Sequence, residues 1–403
     1  MGLDHIVIVG ASLAGLRAAE ELRTLGHAGT ITLVGDEPHR PYERPPLSKQ
    51  VLAGTKPPES AILSVVRGTP DDLDLEWRLG QTATGLDLAE RAVLLGGGER
   101  LRFDGLLIAT GASPKRLPGT DHLDGVHTLR SLDDCLEIRA ELERSPRRVA
   151  VVGAGFIGAE VAATCRGLGI DVSLIEALPV PLERGLGPEM GAVVAEVHRD
   201  HGVDVRLGVG VVLIEGGDRV ERIRLTDGAV LDIDLVVIGI GVTPNTGWLE
   251  GSGLTIDNGV LCDATCTAAP GVVAAGDVAR WPNPRFDEVM RVEHWDNAIA
   301  MGTHAARSLL AGEAAQPYDP IPWFWSDQYD RKIQLAGRAA ADDRVEVVAG
   351  SVDERRFVAF YGREGRVVGV LGMNQPAKVM RWRALIEERA SWDDAMQTVA
   401  TSE

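Results

Sequence analysis

Two glycine-rich turns constrain the fold of this chain more than any other feature. Gly10–Gly15 and Gly153–Gly158 each follow a run of four apolar residues. Glycines at this spacing permit a tight strand-to-helix turn and bring the helix N-terminus to a pyrophosphate. A second apolar strand follows each turn and ends at Asp36 or Glu176, whose carboxylates can accept hydrogen bonds from ribose hydroxyls. Two such units predict two dinucleotides, and therefore electron transfer between them.

The two turns differ at their middle position, which is Ser12 in the first and Gly155 in the second. Serine is small enough for a phosphate to approach, although it removes part of the backbone freedom of glycine. Ordinary strand-to-helix turns would also explain the glycines, but they would leave Asp36 and Glu176 without a role. We therefore interpret both turns as dinucleotide sites.

Length and charge limit the classes of protein that this chain can be. A chain of 403 residues is too long for one compact core, so two or three domains are expected. The net charge of −18 disfavours a nucleic-acid partner, because the phosphate backbone would be repelled. The sequence has no apolar run near the ~20 residues that span a bilayer, and no secretory signal precedes the first turn. We expect a cytoplasmic protein without a membrane anchor.

The cysteines and histidines do not form a recognisable metal or redox motif. Cys262 and Cys266 have three residues between them, a spacing typical of neither zinc sites nor thioredoxin-like motifs. His198 and His201 lie three apart without a carboxylate or cysteine pattern around them, so no metal site is predicted. Residues 38–49 contain no cysteine, although flavoprotein disulphide reductases carry a redox pair in the corresponding stretch.

The order of the predicted elements gives the fold class and the domain limits. We predict an α/β protein with two Rossmann-like dinucleotide-binding domains and a small α+β C-terminal domain. The first dinucleotide domain is discontinuous and comprises 1–112 and 240–317, the second is 113–239, and the C-terminal domain is 318–403. In the last domain, alternating strands follow an aromatic segment at 320–329, and a helix near 377–388 is expected to end the ordered part.

Five motifs together resemble one family over the whole chain. They are Pro45–Lys49, Ala109–Gly111, the second glycine turn with Glu160, Gly276-Asp277, and Pro322–Asp327. The chain resembles the NADH-dependent, FAD-containing ferredoxin reductases that serve cytochromes P450 and ring-hydroxylating dioxygenases. These enzymes have the pyridine nucleotide-disulphide oxidoreductase fold without redox cysteines.

The resemblance implies an FAD site built around the first turn. Gly10–Gly15 would hold the pyrophosphate, Asp36 the adenosine ribose and Asp277 the ribityl chain. Trp295 would lie by the isoalloxazine ring. Trp325 or Trp323 either covers the flavin on the side where a partner docks or packs in the C-terminal core. The full set implied at the FAD is Gly10, Ser12, Leu13, Ala14, Gly15, Asp36, Arg44, Lys49, Ala83, Ala109, Thr110, Gly111, Arg130, Gly276, Asp277, Trp295 and Trp325.

The resemblance places NADH at the second turn. The implied residues are Gly153, Gly155, Ile157, Gly158, Glu160, Glu176, Arg184 and Gly241. Glu176 favours NADH over NADPH, because a carboxylate repels a 2′-phosphate and accepts a hydrogen bond from a free hydroxyl. Arg184 could favour a phosphate, but it could equally contact the NADH pyrophosphate or lie on the surface.

Lys49 and Glu160 are the predicted catalytic residues. We expect them to pair beside the flavin N5, where an ammonium would stabilise negative charge on reduced flavin. Glu160 would hold the lysine and help orient the nicotinamide carboxamide. In the alternative, Glu160 is a favourable acid in the first turn of a helix and Lys49 is a solvated loop residue.

The predicted function is hydride transfer from NADH to FAD, followed by transfer of single electrons to a [2Fe–2S] ferredoxin. Without cysteines near the first turn, a disulphide is not available as the electron acceptor. A locally basic docking patch is expected, because ferredoxins are usually acidic, and its candidates are Arg285, Arg291, Arg307 and Arg331. We expect a monomer or weak homodimer.

Two alternatives remain open from the sequence. An NADH oxidase or peroxidase would send electrons to oxygen or peroxide, but such enzymes generally need a redox cysteine near Pro45 and Pro46. An NADH-sensing flavoprotein resembling apoptosis-inducing factor would instead form a long-lived complex of reduced flavin and NAD. No long insertion or targeting segment in the sequence supports this second alternative.

Overall fold

The computed structural model describes residues 3–65 and 69–401. The helices are α1 (Leu13–Thr24), α2 (Leu132–Glu143), α3 (Phe156–Gly167), α4 (Glu183–Asp200), α5 (Trp295–Ala311), α6 (Pro376–Glu387) and α7 (Trp392–Ala400). The strands are β1 (His5–Val9), β2 (Thr30–Val34), β3 (Leu75–Arg78), β4 (Ala83–Asp87), β5 (Ala92–Leu95), β6 (Arg100–Arg102), β7 (Gly105–Ile108), β8 (Ala112–Pro114), β9 (Val126–Thr128), β10 (Arg148–Val152), β11 (Asp171–Glu176), β12 (Asp204–Leu207), β13 (Val211–Gly216), β14 (Val220–Leu225), β15 (Val230–Asp232), β16 (Leu235–Ile238), β17 (Val242–Pro244), β18 (Val260–Leu261), β19 (Thr267–Ala269), β20 (Val272–Ala274), β21 (Ala279–Asn283), β22 (Glu288–Met290), β23 (Trp323–Gln328), β24 (Arg331–Gly337), β25 (Arg344–Ser351), β26 (Arg356–Arg363) and β27 (Arg366–Met373).

The chain forms two compact units, which are described separately. The first comprises the residues up to Glu43, Ala61–Ser113 and Thr243–Pro322. Its main sheet has the order β19-β20-β7-β1-β2-β3, in which β20, β7, β1, β2 and β3 run parallel. Strand β1 is apolar from Ile6 to Val9 and these residues are buried, as expected for a central parallel strand covered on both faces. The carboxyl ends of β1, β2, β7 and β20 therefore lie at one edge of the sheet.

The second unit comprises Arg44–Ser60, Pro114–Val242 and Trp323–Glu403. Its parallel sheet has the order β12-β11-β10-β16-β9. The C-terminal part adds an antiparallel sheet of order β23-β24-β27-β26-β25. One cluster of buried residues joins α4 to this antiparallel sheet.

The observed architecture confirms the predicted fold class, with two Rossmann-like sheets and a small C-terminal sheet. The division into three domains stays a prediction. The expectation that the helix near 377–388 ends the ordered part was wrong, because α7 follows that helix. Ser391 caps α7 by accepting a hydrogen bond from the backbone of Asp394, and Trp392 is buried. Among the described residues, no helix is both long and apolar enough to cross a bilayer.

Candidate functional site

The first glycine turn connects β1 to α1, and its shape requires glycine at two positions. Gly10 has φ +122°, and a Cβ there would lie 2.1 Å from the carbonyl oxygen of Ala109. A Cβ on Gly15 would lie 2.1 Å from the carbonyl oxygen of Gly10. Helix α1 has no acidic residue in its first turn, so its N-terminus suits an anion. The turn therefore fits a pyrophosphate.

Ser12 fits this turn without strain. Its backbone is extended (φ −125°, ψ −178°), a conformation that any residue adopts. Its Oγ donates a hydrogen bond to the carbonyl oxygen of Ala109, 3.2 Å away. The serine therefore ties the turn to the end of β7.

The other predicted FAD residues of the first unit follow neighbouring parallel strands or lie close to them. Asp36 follows β2 and is exposed, Ala109–Gly111 follow β7, and Gly276 and Asp277 follow β20. Because these parallel strands end at one edge of the sheet, the residues share the edge at which such folds bind nucleotides. Ala83 begins β4, and Trp295 begins α5, where it packs against a cluster that contains Leu13.

The second glycine turn repeats this construction between β10 and α3. Gly153 has φ +98°, and a Cβ there would lie 2.3 Å from the carbonyl oxygen of Gly239. A Cβ on Gly158 would lie 2.0 Å from the carbonyl oxygen of Gly153, whereas one on Gly155 would meet nothing closer than 3.9 Å. Ile157 is 43% exposed at the start of α3. The turn fits a second pyrophosphate.

Glu176 ends β11, the strand next to β10, and its carboxylate is held by two backbone amides. Its Oε2 accepts from the N–H of Ala154 at 2.7 Å, and its Oε1 accepts from Leu178 at 2.9 Å. The negative charge is therefore fixed against the glycine turn. Gly241 follows β16 in the same sheet, and Arg184 is exposed near the start of α4.

Lys49 and Glu160 form a buried ion pair in the second unit. Lys49 Nζ lies 2.5 Å from Glu160 Oε2, and the two side chains are only 11% and 5% exposed. Glu160 Oε2 also accepts from Ser48 Oγ at 2.6 Å, and its Oε1 accepts from Ser326 Oγ at 2.8 Å. Lys49 Nζ donates in addition to the carbonyl oxygen of Pro45 at 3.1 Å. The alternative, in which Lys49 is a solvated loop residue and Glu160 only a favourable acid in the first turn of a helix, does not fit this geometry.

Residues that the sequence analysis missed hold the loop carrying Lys49. Cys135 Sγ of α2 donates to the carbonyl oxygen of Leu47 at 3.2 Å, and Thr164 Oγ1 of α3 donates to that of Ser48 at 2.7 Å. No local motif marks these contacts. The predicted residues Arg44 and Arg130 are in contact, because Arg44 Nη1 donates to the carbonyl oxygen of Arg130 at 2.6 Å.

The four cysteines are free and buried. Burial raises the pKa of Cys135 to about 11 and that of Cys165 and Cys262 to about 12, and it also raises the pKa of Cys266. Neutral, buried thiols are poor nucleophiles. These cysteines therefore lack the accessible, low-pKa setting that a reactive thiol needs. In the described part of the chain, no cluster of three metal-ligating side chains is present either.

The four arginines proposed for docking all have carboxylate partners. Arg285 pairs with Asp319, Arg291 with Glu293, Arg307 with Glu21 and Arg331 with Asp330. Their charges are therefore largely compensated locally, and the expectation of a basic patch is not supported at these positions.

Trp325 lies in β23, and its ring stacks against that of Trp323 with centroids 5.3 Å apart.

The chain is similar to known protein families, to curated proteins and to solved structures. The family model described as pyridine nucleotide-disulphide oxidoreductase matches residues 4–302, and the one described as reductase C-terminal matches 323–400. Rhodocoxin reductase of Rhodococcus erythropolis is 38% identical over 94% of this chain and 89% of its own length. The ferredoxin–NAD(+) reductase component of the p-cumate 2,3-dioxygenase system of Pseudomonas putida is 38% identical over 97% and 95%. The reductase chain in the covalent putidaredoxin reductase–putidaredoxin complex superposes with a TM-score of 0.91 at 32% identity, over 99% of this chain and 98% of that one.

Proposed function

Because the chain belongs to the pyridine nucleotide-disulphide oxidoreductase family, we propose that it delivers electrons from NADH to a [2Fe–2S] ferredoxin. It is an oxidoreductase of the ferredoxin reductase type, with FAD and NADH as its cofactors. The ferredoxin in turn serves a cytochrome P450 or a ring-hydroxylating dioxygenase, as the names of the relatives suggest. We place the protein in the cytoplasm as a monomer or weak homodimer.

The observation that carries this proposal is the buried Lys49–Glu160 pair. Its lysine lies in the stretch 38–49, where a flavoprotein disulphide reductase would have its redox cysteines, and this stretch contains no cysteine. Since the cysteines of this chain are buried with raised pKa values, electrons do not leave through a thiol. Bound FAD can accept a hydride and release electrons singly, which an iron–sulphur acceptor requires.

In this proposal each cofactor has its own glycine turn. Gly10, Ser12 and Gly15 hold the FAD pyrophosphate, with Asp36 at the adenosine ribose. Residues 1–112 and 240–317 are the FAD-binding domain, 113–239 the NAD-binding domain and 318–403 the C-terminal domain. The fit of both turns to a pyrophosphate supports this assignment, because two glycines in each turn leave no room for a Cβ (Gly10 and Gly15, Gly153 and Gly158) and the helices begin without an acidic side chain.

Glu176 selects NADH. Its carboxylate is fixed by the amides of Ala154 and Leu178, so it cannot easily turn away from a 2′-phosphate. A free 2′-hydroxyl can donate to the same carboxylate. Arg184 is exposed, and two roles stay open for it: contact with the NADH pyrophosphate, or a position on the surface without a role in binding.

Lys49 and Glu160 are the proposed catalytic residues at the flavin. The ammonium of Lys49 stabilises negative charge that accumulates as the flavin is reduced, and it does so strongly because it is shielded from water. Glu160 fixes the position of the ammonium and helps orient the nicotinamide carboxamide. The carbonyl of Pro45 limits the movement of Lys49 further.

The test is reduction of cytochrome c by NADH, with and without candidate [2Fe–2S] ferredoxins from the same source. We expect reduction that depends on ferredoxin. Lys49→Ala should slow flavin reduction by NADH in anaerobic stopped flow, while Lys332→Ala, which removes a half-buried lysine paired with Asp327, should not. Rapid NADH consumption in air without ferredoxin would indicate an oxidase, and an unchanged rate in Lys49→Ala would reject the role of the pair.

A further inference from the structure

The carboxylate of Glu160 is held from two directions within the second unit. Lys49 and Ser48, both in the loop that begins at Arg44, donate to Oε2. Ser326, which lies in β23 and far along the chain, donates to Oε1 at 2.8 Å. Ser326 is fully buried, so water does not compete for this hydrogen bond. The C-terminal sheet thus contacts the proposed catalytic pair directly.

Gln328 fixes the direction of the Ser326 hydroxyl. Gln328 is fully buried two residues further along β23, and its Nε2 donates to Ser326 Oγ at 3.1 Å. An ionised carboxylate only accepts, and a serine hydroxyl has a single proton to donate. Because the amide supplies a proton to Oγ, the hydroxyl proton is left for Glu160.

Gln328 lies beside the side chain of His198, and both residues are fully buried. Within the described residues, neither Gln328 Oε1 nor His198 Nε2 has a hydrogen-bond partner of ordinary geometry. His198 Nδ1 lies 2.9 Å from the hydroxyl of Tyr329. Burial, together with the neighbouring His201, lowers the pKa of His198 to about 4 against a side-chain interaction with Gln328 that raises it, so the imidazole is neutral near pH 7. The neutral imidazole of His198 therefore brings no charge that would compete with Glu160 for the hydroxyl of Ser326.

We propose that Ser326, oriented by Gln328, is a positioning residue for Glu160 and through it for Lys49 in the reduction of the flavin by NADH. This inference rests on the proposed catalytic role of the pair. Ser326 does not itself meet a reacting atom. Its hydrogen bond restricts Glu160 to the orientation in which the other carboxylate oxygen holds the ammonium.

The first test is a double-mutant cycle in the full chain, measured by urea unfolding with and without FAD. The variants are Ser326→Ala, Glu160→Met, which removes both carboxylate oxygens, and the double substitution. We expect a coupling of about tenfold in the unfolding equilibrium constant, because removing the second partner of a hydrogen bond loses less than removing the first. If the double substitution changes the unfolding equilibrium constant by the product of the two single effects, within about twofold, the two residues are not coupled and the inference is overturned. Ser308→Ala is the matched control, since Ser308 is buried and its Oγ has no partner among the described residues.

The second test separates positioning from a general loss of structure. In anaerobic stopped flow, Ser326→Ala should lower the limiting rate of flavin reduction about three- to tenfold and leave the dissociation constant of NADH within about twofold. Ser326→Thr, which keeps the hydroxyl, should restore the rate. An unchanged limiting rate in Ser326→Ala would overturn the positioning role even if the cycle shows coupling. If Ser326→Ala does not fold, Gln328→Leu decides by the same rate, which should fall.

The failure of this inference differs from the failure of the proposed function. If Lys49→Ala and Glu160→Gln reduce the flavin at the wild-type rate, the role of the pair itself is wrong. If both substitutions slow reduction and Ser326→Ala does not, only the role of Ser326 is wrong.

Discussion

Substituting Glu160 by glutamine and Lys49 by methionine should destabilise the protein unequally. In Glu160→Gln the ammonium of Lys49 stays largely buried without a counter-charge, and its remaining acceptors are all neutral: the new amide oxygen, the carbonyl of Pro45 at 3.1 Å and Ser48 Oγ at 3.5 Å. Removing one partner of a buried ion pair typically costs about 3–5 kcal/mol, because it leaves an uncompensated charge. We expect a loss in this range for Glu160→Gln.

Lys49→Met leaves the opposite charge in a better environment. The carboxylate of Glu160 keeps the hydroxyls of Ser48 and Ser326, at 2.6 and 2.8 Å. Hydrogen bonds to a charged group are worth about 1.5–3 kcal/mol each, so the two hydroxyls offset much of the lost attraction. We expect Lys49→Met to cost about 1–3 kcal/mol, roughly 2 kcal/mol less than Glu160→Gln. The double variant should be more stable than Glu160→Gln alone.

The assay is urea unfolding of the full chain followed by tryptophan fluorescence, with and without FAD. Lys332→Met serves as the control, because its pair with Asp327 is substantially exposed and should be worth at most about 1 kcal/mol. A loss in Glu160→Gln that is no larger than that in Lys49→Met would refute the reasoning. So would a loss below about 1 kcal/mol in both variants.

Three further predictions concern the nucleotide, the thiols and pH. The KM for NADH should be at least about tenfold below that for NADPH, and Glu176→Ala should narrow this ratio; equal wild-type KM values would contradict the assignment. A thiol reagent at pH 8 should modify less than about one cysteine in the native chain and all four after denaturation, because burial keeps the thiols protonated; rapid native labelling would contradict this. Because the pKa of His198 is about 4 in the folded chain and near 6.5 when unfolded, only the unfolded chain takes up this proton as pH falls through that interval. The stability of the wild type should therefore fall by up to about 3 kcal/mol more than that of His198→Gln between pH 7 and pH 4, and parallel pH dependences in urea unfolding would exclude this.

The sequence allowed good prediction of what depends on local spacing. The two glycine turns, the strands around them and the positions of Asp36 and Glu176 follow from short-range patterns, and the fold class is confirmed. Ser12 looked like a departure from the fingerprint, but its extended backbone and its hydrogen bond to Ala109 explain why a serine fits.

What could not be predicted depends on contacts between distant parts of the chain. Ser326 meets Glu160 across a separation of 166 residues, and no local pattern marks it as a partner. The arginines chosen for a docking patch have the right charge, but Arg307 pairs with Glu21 and Arg285 with Asp319. Composition gives the charge of a residue, whereas the tertiary fold decides which neighbour compensates it.

The most direct test of the central claim is an anaerobic titration of the FAD-loaded protein with NADH. If the flavin is the only redox group that NADH reduces, about one NADH per FAD should complete the reduction, and oxidised [2Fe–2S] ferredoxin added afterwards should restore the spectrum of oxidised flavin. A requirement for about two NADH per FAD, or reduced flavin that ferredoxin does not reoxidise, would contradict electron transfer from NADH to ferredoxin through the flavin alone.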